Sequence, residues 1–131
     1  MTKKNQKIIF VCSPYGGLDI NLDRAARICE LITLKGDVPF APHLHFTQFL
    51  DETDPAQREF GINSGLKFMP LCDEVHVFVS AGKKSPGMIV EEEHARKIGK
   101  HVVYQDFLRI VAAIPDNRFM RFLQFIKRLF F

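Results

Sequence analysis

DEVHVFV (Asp73 to Val79), SAGKKSPGMIVEEEHARKIGK (Ser80 to Lys100) and HVVY (His101 to Tyr104) run on without a break, and their pattern decides the fold. The first segment alternates and then becomes continuously apolar, as a strand covered on both faces does. Ser85-Pro86 is an N-cap followed by a first-turn proline. The spacing therefore predicts a helix from Pro86 to about Ile98, which Gly99 ends. HVVY is a second short strand. A strand, a helix and a strand in so few residues is a parallel crossover unit.

Working outward, KIIFVC (Lys7 to Cys12) is another β-branched apolar run, closed by Ser13-Pro14-Tyr15-Gly16-Gly17. From Asn21 to Lys35 the residues Leu22, Ala25, Ala26, Ile28, Cys29 and Ile32 recur at helical spacing, and Gly36 supplies a stop. VPFAP (Val38 to Pro42) is a short strand. The stretch from Pro42 to Asp54 reads as a loop with an aromatic patch. Asp54-Pro55 then opens a helix towards Met69. Strands alternating with helices predict an α/β fold: a single Rossmann-like domain over residues 1–114, with a parallel sheet of four to five strands flanked by helices. Ligands of such sheets sit at the carboxyl ends of the strands, here Ser13 to Asp19, Pro42 to Asp54 and Ser80 to Gly87.

The 131 residues and their 47% hydrophobic content suit one core. Eighteen basic and 15 acidic residues leave a formal charge of +3, too small and too dispersed for a nucleic acid polymer as the main partner. Cys12, Cys29 and Cys72 are widely spaced and contain no CxxC pair, which argues against a disulfide framework or zinc ribbon and for reduced thiols in the cytoplasm. The apolar run after the basic N-terminus is too short for a signal core or a membrane span.

The helix beginning at Pro86 carries the most chemistry. Met88, Glu91, Ala95 and Ile98 fall on one stripe, so a carboxylate occupies a core-facing position. Glu92 and Glu93 are turned away from Glu91, at least one of them towards water, and the helix dipole accounts for acidic residues early in a helix. It accounts less well for Glu91. A carboxylate at the edge of a pocket can attack a sugar C1′ and form a covalent glycosyl-enzyme. The SPYGGLD turn would let backbone N–H groups approach a sugar or phosphate, but it is neither GxGxxG nor a P-loop, and a plain tight turn explains the glycines equally well. His43 and His45 form an HxH near Asp51, Glu52 and Asp54; without a third ligand at defined spacing this is an ordered loop rather than a metal site. His76 is read as a packed strand residue. Neither a metal nor a cofactor is expected.

Residues 115–131 read as a C-terminal amphipathic aromatic helix, with Phe119, Phe122, Leu123, Ile126, Leu129 and Phe130 on one face and Arg121, Lys127 and Arg128 on the other. Docking on its own sheet and homo-oligomer contact are its first two readings, with peripheral membrane contact third.

Several pieces taken together, SPYGG after the first strand, PHLHFTQFLDETDP, CDEVHVFV, and the S-x-G-M with E and A on the following helix, resemble the nucleoside 2-deoxyribosyltransferase-like superfamily, in particular its small phage and bacterial domains of unknown function. The resemblance spans roughly Lys7 to Tyr104. It implies that Glu91, four residues after Gly87 and four before Ala95, is the catalytic nucleophile acting on a nucleoside or nucleotide. It also implies that the ligand is held by Ser13, Tyr15, Gly16, Gly17, Asp19 and His43 on one side and by Ser85, Gly87 and Met88 on the other. Catalytic relatives carry an aspartate two helical turns before the third strand to protonate the leaving base, where this chain has Gly65. Asn63, Glu59, Asp54 or His43 are the alternatives for that role. The same fold also serves sensor domains, so the rival expectation is a non-catalytic protein that senses or sequesters a nucleotide-derived signal, phage- or defence-related.

Overall fold

The computed structural model describes residues 5–113 and 127–129. Four parallel strands, β1 (Ile8–Cys12), β2 (Val38–Phe40), β3 (Glu74–Val79) and β4 (His101–Asp106), form one sheet in the order β2-β1-β3-β4. The helices are α1 (Asp19–Leu34), α2 (Pro42–Phe46), α3 (Pro55–Phe68), α4 (Pro86–Lys97) and α5 (Phe107–Ala113), with a 3₁₀ turn at Met69–Leu71. The chain is thus an α/β domain with helices on both faces of a four-strand parallel sheet.

Strand alternation divides the core in two. Phe10, Cys12, Val75 and Val77 face one side, packing with Met69, Met88 and Ala95 from α3, its 3₁₀ turn and α4. Val11 and Phe78 face the other, with Ile28 of α1 and Phe107 of α5. Because β2 lies to one side of β1 and β3 to the other, the chain reverses its winding between β1 and β3. Their carboxyl ends therefore splay apart and leave a crevice.

Three stretches depart from the sequence reading. Pro42 to Phe46 is helical rather than loop, and α5 follows β4 directly where no element was expected. Ile98 caps the end of α4 and is 37% exposed, so the buried stripe ends at Ala95. The proposed C-terminal helix lies outside the described residues except for Lys127 to Leu129, which are helical. Among the described residues no helix is long and apolar enough to cross a membrane.

Candidate functional site

The three loops at the carboxyl ends of β1, β2 and β3 converge on a pocket that is partly open to solvent. Tyr15 and Gly16 come from the first loop, and Pro42, His43, Phe46 and Thr47 from α2 and its end. Glu52 precedes α3, which adds Arg58, Gly61 and Ile62; Ser85, Gly87, Met88 and Glu91 complete the lining from α4 and its cap. Its lining, mostly apolar with a few polar groups, is of the kind that holds small ligands.

Glu91 is the buried carboxyl of the pocket, only 3% exposed. Ser85 accepts the Met88 N–H at 3.4 Å and starts α4 at Pro86, which puts Met88, Glu91 and Ala95 on the face turned to the sheet. Burial pushes the Glu91 carboxyl up to about 8, a shift opposed in part by the neighbouring Cys12 thiol. Cys12, whose Sγ lies 3.6 Å from the Met88 carbonyl oxygen, is itself raised well above the usual thiol range, first by burial and then by Glu91. It is therefore a neutral thiol at physiological pH, not a nucleophile.

Glu92 is also buried, 7% exposed, so of the two it is Glu93 that meets the expectation of facing water. Lys84 reaches back from the β3–α4 loop to both of its oxygens, at 2.8 and 3.0 Å. Although burial raises the Glu92 carboxyl, these hydrogen bonds, with one from Tyr104, leave it below the ordinary carboxylate range. The pair ties the loop carrying Ser85 to the helix carrying Glu91. Glu93 is exposed.

His43 stands opposite. Its Nε2 lies 2.7 Å from the Ser13 carbonyl oxygen, so that nitrogen carries the proton and donates it. Its ring stacks on Tyr15, with centroids 5.7 Å apart. Burial lowers the His43 pKa, and the bond to Ser13 only partly offsets this, so the imidazole is neutral at pH 7. Tyr15 is held in turn by its own carbonyl, which accepts from Leu18 N at 3.1 Å and Asn21 Nδ2 at 2.9 Å. His45 is exposed and packs edge-on against Phe46 and Phe49, away from His43. Among the described residues, no group of three His, Cys, Asp or Glu side chains could hold a metal ion.

Of the residues expected at the site, Tyr15, Gly16, His43, Ser85, Gly87, Met88 and Glu91 line the pocket; Ser13, Gly17 and Asp19 do not. Ser13 is fully buried, and among the described residues its hydroxyl has no hydrogen-bond partner. Gly17 and Asp19 are exposed, the latter in the first turn of α1, where a negative charge suits the helix dipole. Gly16 and Gly17 both have positive φ, 58° and 76°, and a Cβ would meet nothing within 4 Å at either. The positive φ at each is by itself a reason for glycine.

Residues 7–105 match the profile of a family described as a domain of unknown function, DUF7768. The chain belongs to that family. No curated protein matches the sequence significantly. Among solved structures, the fold is similar to a 2-deoxyribosyltransferase from Bacillus psychrosaccharolyticus, described as a biocatalyst for nucleoside synthesis. The TM-score is 0.60 at 16% identity, over 74% of this chain and 70% of that one. It is also similar to a 2-deoxyribosyltransferase from Leishmania mexicana, with a TM-score of 0.55 at 19% identity, over 75% of this chain and 63% of that one. At these identities the likeness establishes a shared fold.

Gly65, the position where the resemblance led one to expect an acid, is buried in this DUF7768 domain and is not part of the pocket lining. A Cβ there would lie 3.1 Å from both Cβ and Cγ of Pro42, so glycine lets α2 and α3 approach. Of the alternatives for that role, Asp54 is spent capping α3, accepting from Ala56 N at 2.9 Å and Gln57 Nε2 at 3.1 Å. Glu59 and Asn63 line an adjoining groove, and the proton on His43 Nε2 is committed to Ser13. The pocket instead contains Glu52, Arg58 and Phe46, which sequence reasoning passed over as site residues. The only available signal was the aromatic and acidic content of the segment after β2, since residues without periodicity cannot be assigned a facing direction.

Proposed function

We propose that the chain binds a nucleoside or nucleotide in this pocket and acts on its N-glycosidic bond, with Glu91 as the nucleophile. The observation that carries this reading is a buried carboxyl in the wall of a pocket at the strand carboxyl ends, in a fold shared with 2-deoxyribosyltransferases. A Glu91 oxygen attacks C1′ as the C1′–N bond breaks, leaving a glycosyl ester on Glu91 and an electron pair on the base nitrogen, which takes up a proton from water entering the open side of the pocket. Water or a second base then attacks the same carbon, releasing the carboxylate. Tyr15, Gly16, Ser85 and Gly87 surround the sugar end, and Ser13 acts indirectly by orienting His43.

The nucleophile must be ionised, and the resting carboxyl titrates at about 8, so the rate should rise with pH and level off above that value. Glu91→Gln keeps shape and hydrogen-bonding capacity, and base release should fall by at least about a thousandfold. The measurement is base release from a panel of nucleosides and nucleotides, with melting shifts followed in parallel; a Gln variant that still turns over would remove Glu91 from this role. A second reading, a protein that binds such a ligand without chemistry, draws on the packed glycine at position 65 and on a Glu91 that is mostly neutral at pH 7. Melting shifts without base release would favour it.

A further inference from the structure

We propose that Glu52 and Arg58 read the edge of the base and select a 2-amino-6-oxopurine, the guanine pattern, over other bases. This rests on the nucleoside reading of the pocket.

The two side chains line the same pocket as Glu91, and both also line the adjoining groove. Their surroundings are braced by polar groups already engaged. Asp51 Oδ1 accepts from Thr53 N at 2.9 Å, Gln57 Oε1 accepts from Asp51 N at 2.8 Å, and Asp54 caps α3. Glu52 and Arg58 are different. Among the described residues their side chains make no hydrogen bond, and their one ion-pair contact is with each other, 3.9 Å between Arg58 Nε and Glu52 Oε2, too long for a hydrogen bond. Side-chain exposures of 28% for Glu52 and 44% for Arg58 leave the remaining carboxylate oxygen and guanidinium N–H groups free to meet a ligand.

With C1′ at Glu91, the base extends along the pocket towards this pair. Tyr15, stacked on His43, and Phe46 provide flat apolar surfaces there. Tyr15 lies close enough to Glu52 for that carboxylate to help raise the phenol pKa, after burial.

A guanidinium beside a carboxylate complements an edge that runs carbonyl, N–H, N–H. Only the 2-amino-6-oxopurine edge has that order. Adenine offers one amino group beside a ring acceptor and leaves a carboxylate oxygen unpaired. Thymine would set a carbonyl against the carboxylate. Cytosine presents a donor and then two acceptors, which opposes the pair.

The test is calorimetry of the full chain with 2′-deoxyguanosine, 2′-deoxyadenosine, 2′-deoxycytidine and thymidine. Wild type should bind 2′-deoxyguanosine about tenfold or more tighter than 2′-deoxyadenosine, because a site built for N–H donors rejects a base lacking them. Glu52→Gln and Arg58→Gln should each bring that ratio close to one, chiefly by weakening the guanine nucleoside. Glu59→Gln, in the groove alone, should leave it unchanged. Tighter binding of another base, or a preference for guanine that survives Glu52→Gln and Arg58→Gln, would overturn the proposal while the nucleoside reading stands. Binding of none of the four would overturn that reading and the proposal with it.

Discussion

Glu91 loses its hydration when the chain folds, and this has a consequence for stability that needs no substrate. Its carboxyl titrates near 4.5 when exposed and at about 8 in the folded chain. Between those values the folded protein holds a proton that the unfolded chain has released, so stability falls as pH rises from about 4.5 to about 8 and is level beyond. Glu91→Gln removes this dependence. The variant should match wild type near pH 4 and exceed it by on the order of 4 kcal/mol at pH 9, as denaturant midpoints at the two pH values would show. An identical pH dependence in both proteins would mean that Glu91 is not desolvated as described. His43 is the opposing case: buried and lowered, it serves as a fixed neutral donor to Ser13 rather than as a proton carrier.

Helices α2 and α3 set the shape of the pocket, and their contact depends on glycine. α2 begins at buried Pro42 and runs only to Phe46, long enough to turn His43 and Phe46 into the pocket but too short for a periodic apolar pattern. α3 crosses it with Gly65 against Pro42 and Gly61 against Leu50, where added Cβ atoms would stand at 3.1 and 3.2 Å. Gly65→Asp, the substitution that would supply the acid the resemblance led one to expect, should therefore lower stability by about 2–4 kcal/mol, since it overpacks a rigid proline contact and buries a carboxyl among apolar groups. It should also fail to raise base release. Thermal denaturation and activity measured on the same preparation check both, and a stable variant with gained activity would show that α3 can rotate to present position 65 to the ligand.

For the molecule as a whole, the sheet order β2-β1-β3-β4 places the pocket where the winding reverses, and an apolar surface is left outside it. Phe60, Phe68, Leu71, Ile89 and Val90 are exposed on α3, its 3₁₀ turn and α4. These are apolar groups that a partner surface would cover. The chain should associate in solution, as size-exclusion chromatography with light scattering would show at micromolar concentration. Removing residues after Asp116 should weaken the association. A wild-type monomer, with the truncated chain behaving identically, would defeat this expectation.

The fold class was decided locally: the β-branched runs, Ser85-Pro86 and Asp54-Pro55 as caps, and Gly36 and Gly99 as stops each act within a few residues, so their spacing sufficed to place strands and long helices. The stripe through Met88, Glu91 and Ala95 likewise marked Glu91 as buried, because helical periodicity carries direction. Other features depended on groups far apart in the chain. Glu92 was unreadable without Lys84, whose reach across the turn neutralises it. The packing of Gly65 against Pro42 could be seen only once α2 and α3 had come together. Glu52 and Arg58 became pocket residues only once α2 and α3 had packed, since a short helix and an aperiodic loop have no facing direction of their own and take it from the sheet they cover.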